Sequence, residues 1–159
     1  MRLGVDTNVL VHAHVAASPM HERVHAYLRS LLVQEGIEIV LSPLVLHEFL
    51  HVVTDARRFD PPIGMPTALR IAQGYLGRSN VVCAAIGEST MARAFELMRQ
   101  HRLGRRRIAD TLWAAALLEE GVHRLVTCNP RDYAIFDDLD TIDPCADTAA
   151  ATPRFNASG

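Results

Sequence analysis

Two acidic residues follow predicted strands of this chain. Asp6 comes directly after the apolar run at residues 3–5, and Asp132 lies a few residues after the run at 125–127. In open α/β sheets, ligands bind beyond the carboxyl ends of the strands, most often where the strand order reverses. We therefore expect both carboxylates to lie on the same rim of one sheet.

Two further acids fall on predicted helices beside that rim. Glu48 interrupts a helical face that Leu44, Val45 and Val52 otherwise make apolar, so we expect its side chain to point inward and to need a partner. Asp110 begins a helix whose inward face is apolar and rich in alanine. Taken alone, an acid in the first turn of a helix needs no role beyond favouring the helix dipole. Asp6, Glu48 and Asp110 together on one predicted rim indicate a metal site instead.

The chemistry of such a site follows from its charge. Carboxylates that converge away from water repel one another, and the pKa of at least one rises unless a cation neutralises them. Asp and Glu oxygens without clustered cysteines favour Mg²⁺ or Mn²⁺ over zinc. Such an ion activates water and stabilises the charge that develops on a phosphodiester. The sequence therefore predicts that the metal-binding and catalytic acids are Asp6, Glu48, Asp110 and Asp132.

The elements that must position these acids can also be predicted. Short apolar runs indicate five buried strands, at residues 3–5, 37–41, 81–85, 125–127 and 139–142. Helical patterns cover residues 19–34, 43–54, 67–76, 89–102 and 108–120, with Ser18 and Ser42 as caps of the first two. Strands that alternate with helices of this length need crossover connections. The predicted fold is a three-layer α/β/α sandwich around a central five-stranded parallel sheet.

Composition limits the alternatives. At 159 residues the chain has the length of one domain, and we expect a nuclease domain at residues 1–142 and a flexible C-terminal tail at 143–159. The net charge of −2 argues against a protein that coats nucleic acid through bulk electrostatics. All 16 basic residues are arginine, so a P-loop NTPase and a receiver domain, which both require a lysine, are excluded.

The cysteines and the apolar runs bear on where the protein works. Cys83, Cys128 and Cys145 are odd in number and far apart, which suggests neither a disulfide framework nor a zinc knuckle. We expect them to be small core residues. No apolar run approaches the length of a membrane span, and Asp6 interrupts the region where a secretory leader would be apolar. A cytoplasmic protein without membrane attachment is expected.

These residues resemble the motifs of the PIN-domain family, and in particular those of VapC-type toxins of bacterial toxin–antitoxin pairs. The resemblance covers about residues 1–142, and its motifs are Asp6-Thr7-Asn8, Glu48 within residues 42–49, Asp110 within 110–116, and the segment 127–133. It implies Mg²⁺- or Mn²⁺-dependent endonucleolytic cleavage of RNA, a homodimer, and inhibition by a cognate VapB-type antitoxin.

The resemblance also assigns supporting residues. Thr7, Asn8, Thr127 and Asn129 would orient the acids or the attacking water. Many family members carry an acid where Asn129 stands, so the fourth acidic role either passes to Asp132 or is absent. The number of metal ions, one or two, is left open.

Two other functions remain as alternatives. His47 and His51 with Glu48 between them match the H-E-x-x-H pattern of zinc metalloproteases, although the third zinc ligand has no clear candidate. A non-catalytic PIN-like domain that binds RNA or protein is the second alternative.

An arginine cluster precedes the third acid. Arg105, Arg106 and Arg107 could hold the RNA backbone, because guanidinium groups bind phosphate in a bidentate manner. A solvated loop between two helices is the simpler reading of the same residues.

Overall fold

Five short strands form one sheet in the computed structural model, which describes residues 1–146. The strands are β1 (Arg2–Val5), β2 (Glu38–Leu41), β3 (Val81–Cys83), β4 (Arg124–Val126) and β5 (Asp140–Ile142). All neighbouring pairs are parallel, in the order β3-β2-β1-β4-β5. The five-stranded parallel sheet is confirmed, and the predicted strand ends lie within two residues of the observed ones.

Helices connect the strands within the described part of the chain. They are α1 (Thr7–His14), α2 (His21–Val33), α3 (Pro43–Val53), α4 (Met65–Leu76), α5 (Glu88–Gln100) and α6 (Ile108–Glu119). Short 3₁₀ turns cover Arg105–Arg107 and Pro130–Asp132. Helix α5 packs against α6, and α1 packs against α2 and α3. The architecture is the predicted three-layer α/β/α sandwich.

The two predicted serine caps have different outcomes. Ser42 caps α3, since its Oγ accepts a hydrogen bond from the Val45 backbone N–H at 3.2 Å and Pro43 occupies the first turn. Ser18 does not cap α2, which begins at His21. Its Oγ instead accepts from the Met20 backbone N–H at 3.2 Å, within the turn before the helix. The prediction of a helix from residue 19 is wrong by two residues for this reason.

The strand order reverses at the centre of the sheet. The chain leaves β1 toward β2 and β3 on one side, then crosses over to β4 and β5 on the other. The Asp6 backbone N–H donates to the Val126 carbonyl oxygen at 3.0 Å, so the residues that follow β1 and β4 are adjacent. A crevice for a ligand is expected at this reversal point.

Helix α6 lies close to the central strand because Gly4 has no side chain and leaves room for Leu117. A Cβ added at Gly4 would stand 2.6 Å from Leu117 Cδ2, which is too close for any side chain without movement of the leucine. Ala114, Ala115 and Ala116 are buried in the same helix. This packing fixes the height of α6 over β1, and with it the position of Asp110 in the first helical turn.

The cysteine expectations are wrong. Cys128 and Cys145 form a disulfide bond, with Cα atoms 5.4 Å apart, and Cys83 is exposed rather than in the core. The pairing was hidden from sequence reasoning because 17 residues separate the partners, and only the parallel pairing of β4 with β5 brings the segments after them together.

The described beginning of the expected tail is held against the domain. Pro144 is buried, and Arg23 Nη1 donates to the Cys145 carbonyl oxygen at 3.0 Å. The remainder of the predicted tail, residues 147–159, lies outside the described residues. Among the helices of residues 1–146, none has the length and apolar character to cross a bilayer.

Candidate metal centre

Asp6 lies at the junction of β1 and α1 and is held by neutral hydrogen-bond donors. Its Oδ1 accepts from the Thr7 backbone N–H at 2.8 Å, which makes Asp6 the N-cap of α1. Its Oδ2 accepts from Asn8 Nδ2 at 2.7 Å and from Thr127 Oγ1 at 2.8 Å. Only 9% of the residue is exposed. Asp6 therefore has both the capping role and a fixed, buried carboxylate at the strand edge.

The donors around Asp6 join the ends of β1 and β4. Asn8 Nδ2 also donates to Thr127 Oγ1 at 3.1 Å, and Asn8 Oδ1 accepts from the Cys128 backbone N–H at 2.9 Å. The Asn129 backbone N–H donates to the same Thr127 hydroxyl at 3.1 Å. Three of the residues expected to orient the acids, Thr7, Asn8 and Thr127, thus contact Asp6 directly, whereas Asn129 reaches it through Thr127.

Glu48 joins the site from the exposed edge of α3. The side chain is not buried as the helical pattern suggested, because the residue stands at the solvent boundary of the apolar face of α3. Its Oε2 nevertheless accepts a hydrogen bond from Thr7 Oγ1 at 2.8 Å. Thr7 therefore contacts two acids, Asp6 through its backbone and Glu48 through its side chain.

Asp110 and Asp132 share an arginine. Arg107 Nη1 lies 3.5 Å from Asp110 Oδ2 and donates to Asp132 Oδ1 at 2.7 Å. Asp132 also accepts a hydrogen bond from Asn129 Nδ2 on its second oxygen. The side chains of Asp110 and Asp132 are 30% and 40% exposed. This side of the site is more exposed than the Asp6 side, and the positive charge of Arg107 partly offsets the two carboxylates.

Three of the predicted acids line one small cavity. Its walls are formed by Asp6, Thr7, Leu44, Val45, Glu48, Ala109, Asp110, Trp113 and Tyr133. Asp132 is not part of the wall and joins the group through Arg107 and Asn129. The structure thus gathers Asp6, Glu48 and Asp110 as predicted and sets Asp132 one contact away.

Sequence reasoning assigned no site role to the two aromatic residues in the wall. Tyr133 is 2% exposed, and its hydroxyl interacts with the Asp6 carboxylate. Trp113 is equally buried, and within residues 1–146 its indole N–H has no hydrogen-bond partner. The signal available in the sequence was that Tyr133 directly follows Asp132 and that Trp113 lies three residues after Asp110. A buried aromatic residue, however, is far more often a core residue than part of a site.

Burial and like charges raise the pKa values of the central acids. The pKa of Asp6 rises to about 6, mainly because the carboxylate is desolvated, with the charges of Asp110 and Glu48 adding to the effect. The hydrogen bonds from Thr127 and Thr7 oppose this rise. Burial also raises the pKa of Asp110, aided by Asp132 and Glu48 and opposed by Arg107. The site is therefore short of positive charge.

The donor set suits a hard divalent cation. The cavity presents carboxylate oxygens and a threonine hydroxyl but no cysteine or histidine. Within residues 1–146, one group of three possible metal ligands has all its ligand atoms within 4.8 Å of one another, and it consists of Cys128, Asp143 and Cys145. The carboxylate oxygens of the site acids are therefore more widely spaced than this. Mg²⁺ commonly keeps several water ligands and takes one or two carboxylates, which fits this spacing.

The zinc-protease pattern has no supporting geometry. His47 and His51 are exposed on α3, with parallel rings whose centroids are 6.5 Å apart. Within residues 1–146, no acid, histidine or cysteine completes a close group of three ligands with them. The one such group in that range is Cys128, Asp143 and Cys145. Glu48, the would-be base of that pattern, is bonded to Thr7.

The fold and the acidic cavity at the β1–β4 junction define a class of protein. The PIN domain family model matches residues 4–140, and the chain belongs to this family. Among curated proteins it is similar to ribonuclease VapC33 of Mycobacterium tuberculosis, with 27% identity over 87% of this chain and 95% of the relative. Ribonuclease VapC24 of the same organism is 26% identical over 84% of this chain and 90% of the relative.

A solved structure shows the same fold at lower identity. VapBC-1 from nontypeable Haemophilus influenzae superposes with a TM-score of 0.64 at 14% identity, covering 92% of this chain and 100% of the other. The family and the fold thus agree with the resemblance drawn from the motifs.

Proposed function

We propose that this protein is a Mg²⁺- or Mn²⁺-dependent endoribonuclease and the toxin of a VapBC-type toxin–antitoxin pair. One observation carries the proposal. Asp6, Glu48 and Asp110, from three different elements, line a single cavity at the strand-order reversal of a PIN-family fold. The two Mycobacterium tuberculosis relatives described above are ribonucleases, and they match 87% and 84% of this chain.

The residues divide the work of holding the metal. A bound divalent ion would lower the pKa of a water molecule and offset the charge that develops on the phosphodiester. Thr127 and Asn8 hold Asp6 Oδ2 in place, and Thr7 holds Glu48 beside it. The hydrogen bond from Thr127 favours the charged form of Asp6, which is the form that binds a cation.

The buried wall limits access of water to the reacting group. Trp113 and Tyr133 close the cavity behind the acids with almost no exposed surface. Excluding bulk solvent strengthens the attraction between the carboxylates and a cation. The open side, next to Asp110, is the side from which an RNA strand would enter.

We propose that two arginines in the 3₁₀ turn before α6 contact that strand. Arg105 and Arg106 are exposed in the turn that leads into α6, whereas Arg107 is engaged with the acids. Because the net charge is −2, backbone contacts from a local basic group would have to supply the attraction for RNA.

The proposed partner is a small antitoxin. The superposed Haemophilus structure is named as a VapBC assembly, and we extend that assembly to this chain as a proposal. A VapB-type antitoxin and a homodimer in the cytoplasm complete the proposed system.

Charge-removing variants of the three wall acids test the enzyme. We expect Asp6→Asn, Glu48→Gln and Asp110→Asn each to lower Mn²⁺-stimulated RNA cleavage by at least about 100-fold. Mutating a residue that only orients a metal ligand already lowers metal affinity or activity by roughly 10–100-fold. The far-ultraviolet circular dichroism of each variant should match wild type, since each removes a repulsive charge. Cleavage is measured on a structured RNA with and without EDTA.

Exposed acids away from the cavity supply the controls. Glu35→Gln and Asp60→Asn should cleave at the wild-type rate. EDTA-insensitive cleavage, or undiminished cleavage by the Asp110→Asn protein, would refute the proposed site. RNA binding without any cleavage would favour the non-catalytic PIN-like domain instead.

A further inference from the structure

Arg107 occupies an unusual place for an arginine predicted to bind RNA. Its side chain is 21% exposed, whereas Arg105 and Arg106 stand free in solvent. The guanidinium points back into the acidic site, where one nitrogen reaches Asp110 Oδ2 and Asp132 Oδ1 at 3.5 and 2.7 Å. Arg107 is thus an internal cation of the site rather than part of its exposed rim.

The other contacts of Asp132 serve to hold this arginine. Oδ1 of Asp132 accepts from Arg107, and Oδ2 accepts from the Asn129 side-chain amide. Asn129 in turn is tied to the Asp6 side through its backbone N–H, which donates to Thr127 Oγ1 at 3.1 Å. Both carboxylate oxygens of Asp132 are therefore already engaged, and Asp132 is not among the residues that line the cavity of Asp6, Glu48 and Asp110.

We infer that Arg107 takes the place of a second cation beside Asp110, so that the chain binds a single divalent ion in the cavity that the three acids line. Asp132 and Asn129 are then positioning residues that act through Arg107. This inference rests on the proposed metal-dependent function, and it adds the number of ions and the roles of Arg107, Asp132 and Asn129.

A count of charges supports one ion. Asp6, Glu48, Asp110 and Asp132 carry four negative charges when ionised, and Arg107 supplies one positive charge. A single dication leaves the group with a net charge of −1. A second dication would make the group positive and would stand next to a guanidinium that Asp132 holds in place, which is repulsive at short range.

The experiment measures the number of Mn²⁺ ions bound to chelator-stripped protein by calorimetry and by electron paramagnetic resonance. We expect one ion for wild type. Arg107→Gln keeps a polar, shorter side chain but removes the charge and releases Asp110 and Asp132, so two ions are expected. Arg107→Lys retains a cation and should again bind one.

Two further proteins separate the inference from a general charge effect. In the double variant Arg107→Gln/Asp132→Asn, the second ion should be lost, because the carboxylate that would receive it is gone. Arg106→Gln removes the neighbouring exposed arginine and should bind one ion, as wild type does. Circular dichroism of each variant establishes that the fold is retained.

The outcomes are distinct. Two ions of comparable affinity on wild type would overturn the inference and leave the proposed function standing. No bound Mn²⁺ on wild type would overturn both. One ion on Arg107→Gln with wild-type affinity, or two ions on Arg106→Gln, would show that Arg107 has no special place in the site.

Discussion

The two sides of the acidic site are built on different physical principles. On one side, Asp6 is buried and accepts three hydrogen bonds from neutral donors, the Thr7 backbone and the side chains of Asn8 and Thr127. On the other, Asp110 and Asp132 are partly exposed and meet a charged guanidinium. A neutral donor fixes a carboxylate without cancelling its charge, whereas an arginine cancels it.

The difference explains how a site can be both rigid and short of positive charge. Neutral hydrogen bonds hold Asp6 where desolvation raises its pKa to about 6, so the buried charge still needs a cation. At Asp110, the positive charge of Arg107 opposes the rise in pKa and reduces the need for a bound cation. The Asp6 side should therefore respond to pH and to hydrogen-bond removal, and the Asp110 side to salt.

The largest expected effect is on the Asp6 side and concerns pH. The folded-state pKa of Asp6 lies above its ordinary value, so the folded protein binds more protons than the unfolded chain between about pH 4 and 6. In metal-free protein, raising the pH from 4 to 6 should lower the free energy of unfolding by about 2–3 kcal/mol more in wild type than in Asp6→Asn. Urea unfolding at several pH values measures the difference.

The comparison with Asp6→Asn isolates this carboxylate. Asp110, whose pKa burial also raises, faces Asp6 and titrates in both proteins, as does His14, whose pKa burial lowers to about 4. If wild type and Asp6→Asn lose stability in parallel across the window, the raised pKa is not a property of Asp6.

The next effect concerns the neutral donors. Thr127→Val removes a hydroxyl that donates to Asp6 Oδ2 and accepts from Asn8 and Asn129, with little change of shape. We expect Mn²⁺ affinity to fall about 10–100-fold, the usual result of losing a group that orients a metal ligand. Calorimetric titration with Mn²⁺ gives the affinity.

Thr111→Val is the matched control on the charged side. Thr111 is equally buried, but its hydroxyl donates to the Arg107 carbonyl oxygen at 2.6 Å and touches no acid. Its Mn²⁺ affinity should equal that of wild type. Equal losses in both variants would mean that the affinity change reflects general destabilisation.

The smallest effect is the energy of the Arg107–Asp132 pair. The two side chains are 21% and 40% exposed, so solvent screens their attraction, and a double-mutant cycle with Arg107→Gln and Asp132→Asn should give at most about 1 kcal/mol of coupling. The coupling should shrink toward zero in 1 M NaCl, where the screening length is about 3 Å. The Thr127→Val effect should not change with salt. A coupling energy that does not change with salt would mean that the Arg107–Asp132 pair is shielded from solvent, contrary to its exposed fraction.

Much of the fold was predictable from local patterns. The five apolar runs and the Ser42-Pro43 start of α3 carry their own signals, since burial period and capping chemistry act over a few residues. Ser18 was misleading because the same hydroxyl can serve a turn as well as a helix cap. The disulfide was not predictable, because β5 must first pair with β4 before Cys145 reaches Cys128.

The site divides in the same way. That Asp6, Glu48 and Asp110 would share a strand edge followed from the sequence alone, because parallel strands must end on the same side and each acid stands next to such an end or a helix beside it. Which acids are buried, exposed or paired was decided by the tertiary structure. Glu48 is exposed at the cavity and accepts a hydrogen bond from Thr7, and Asp132 pairs with Arg107. Partners 25 residues apart depend on how α6 packs against the segment after β4 rather than on any local pattern.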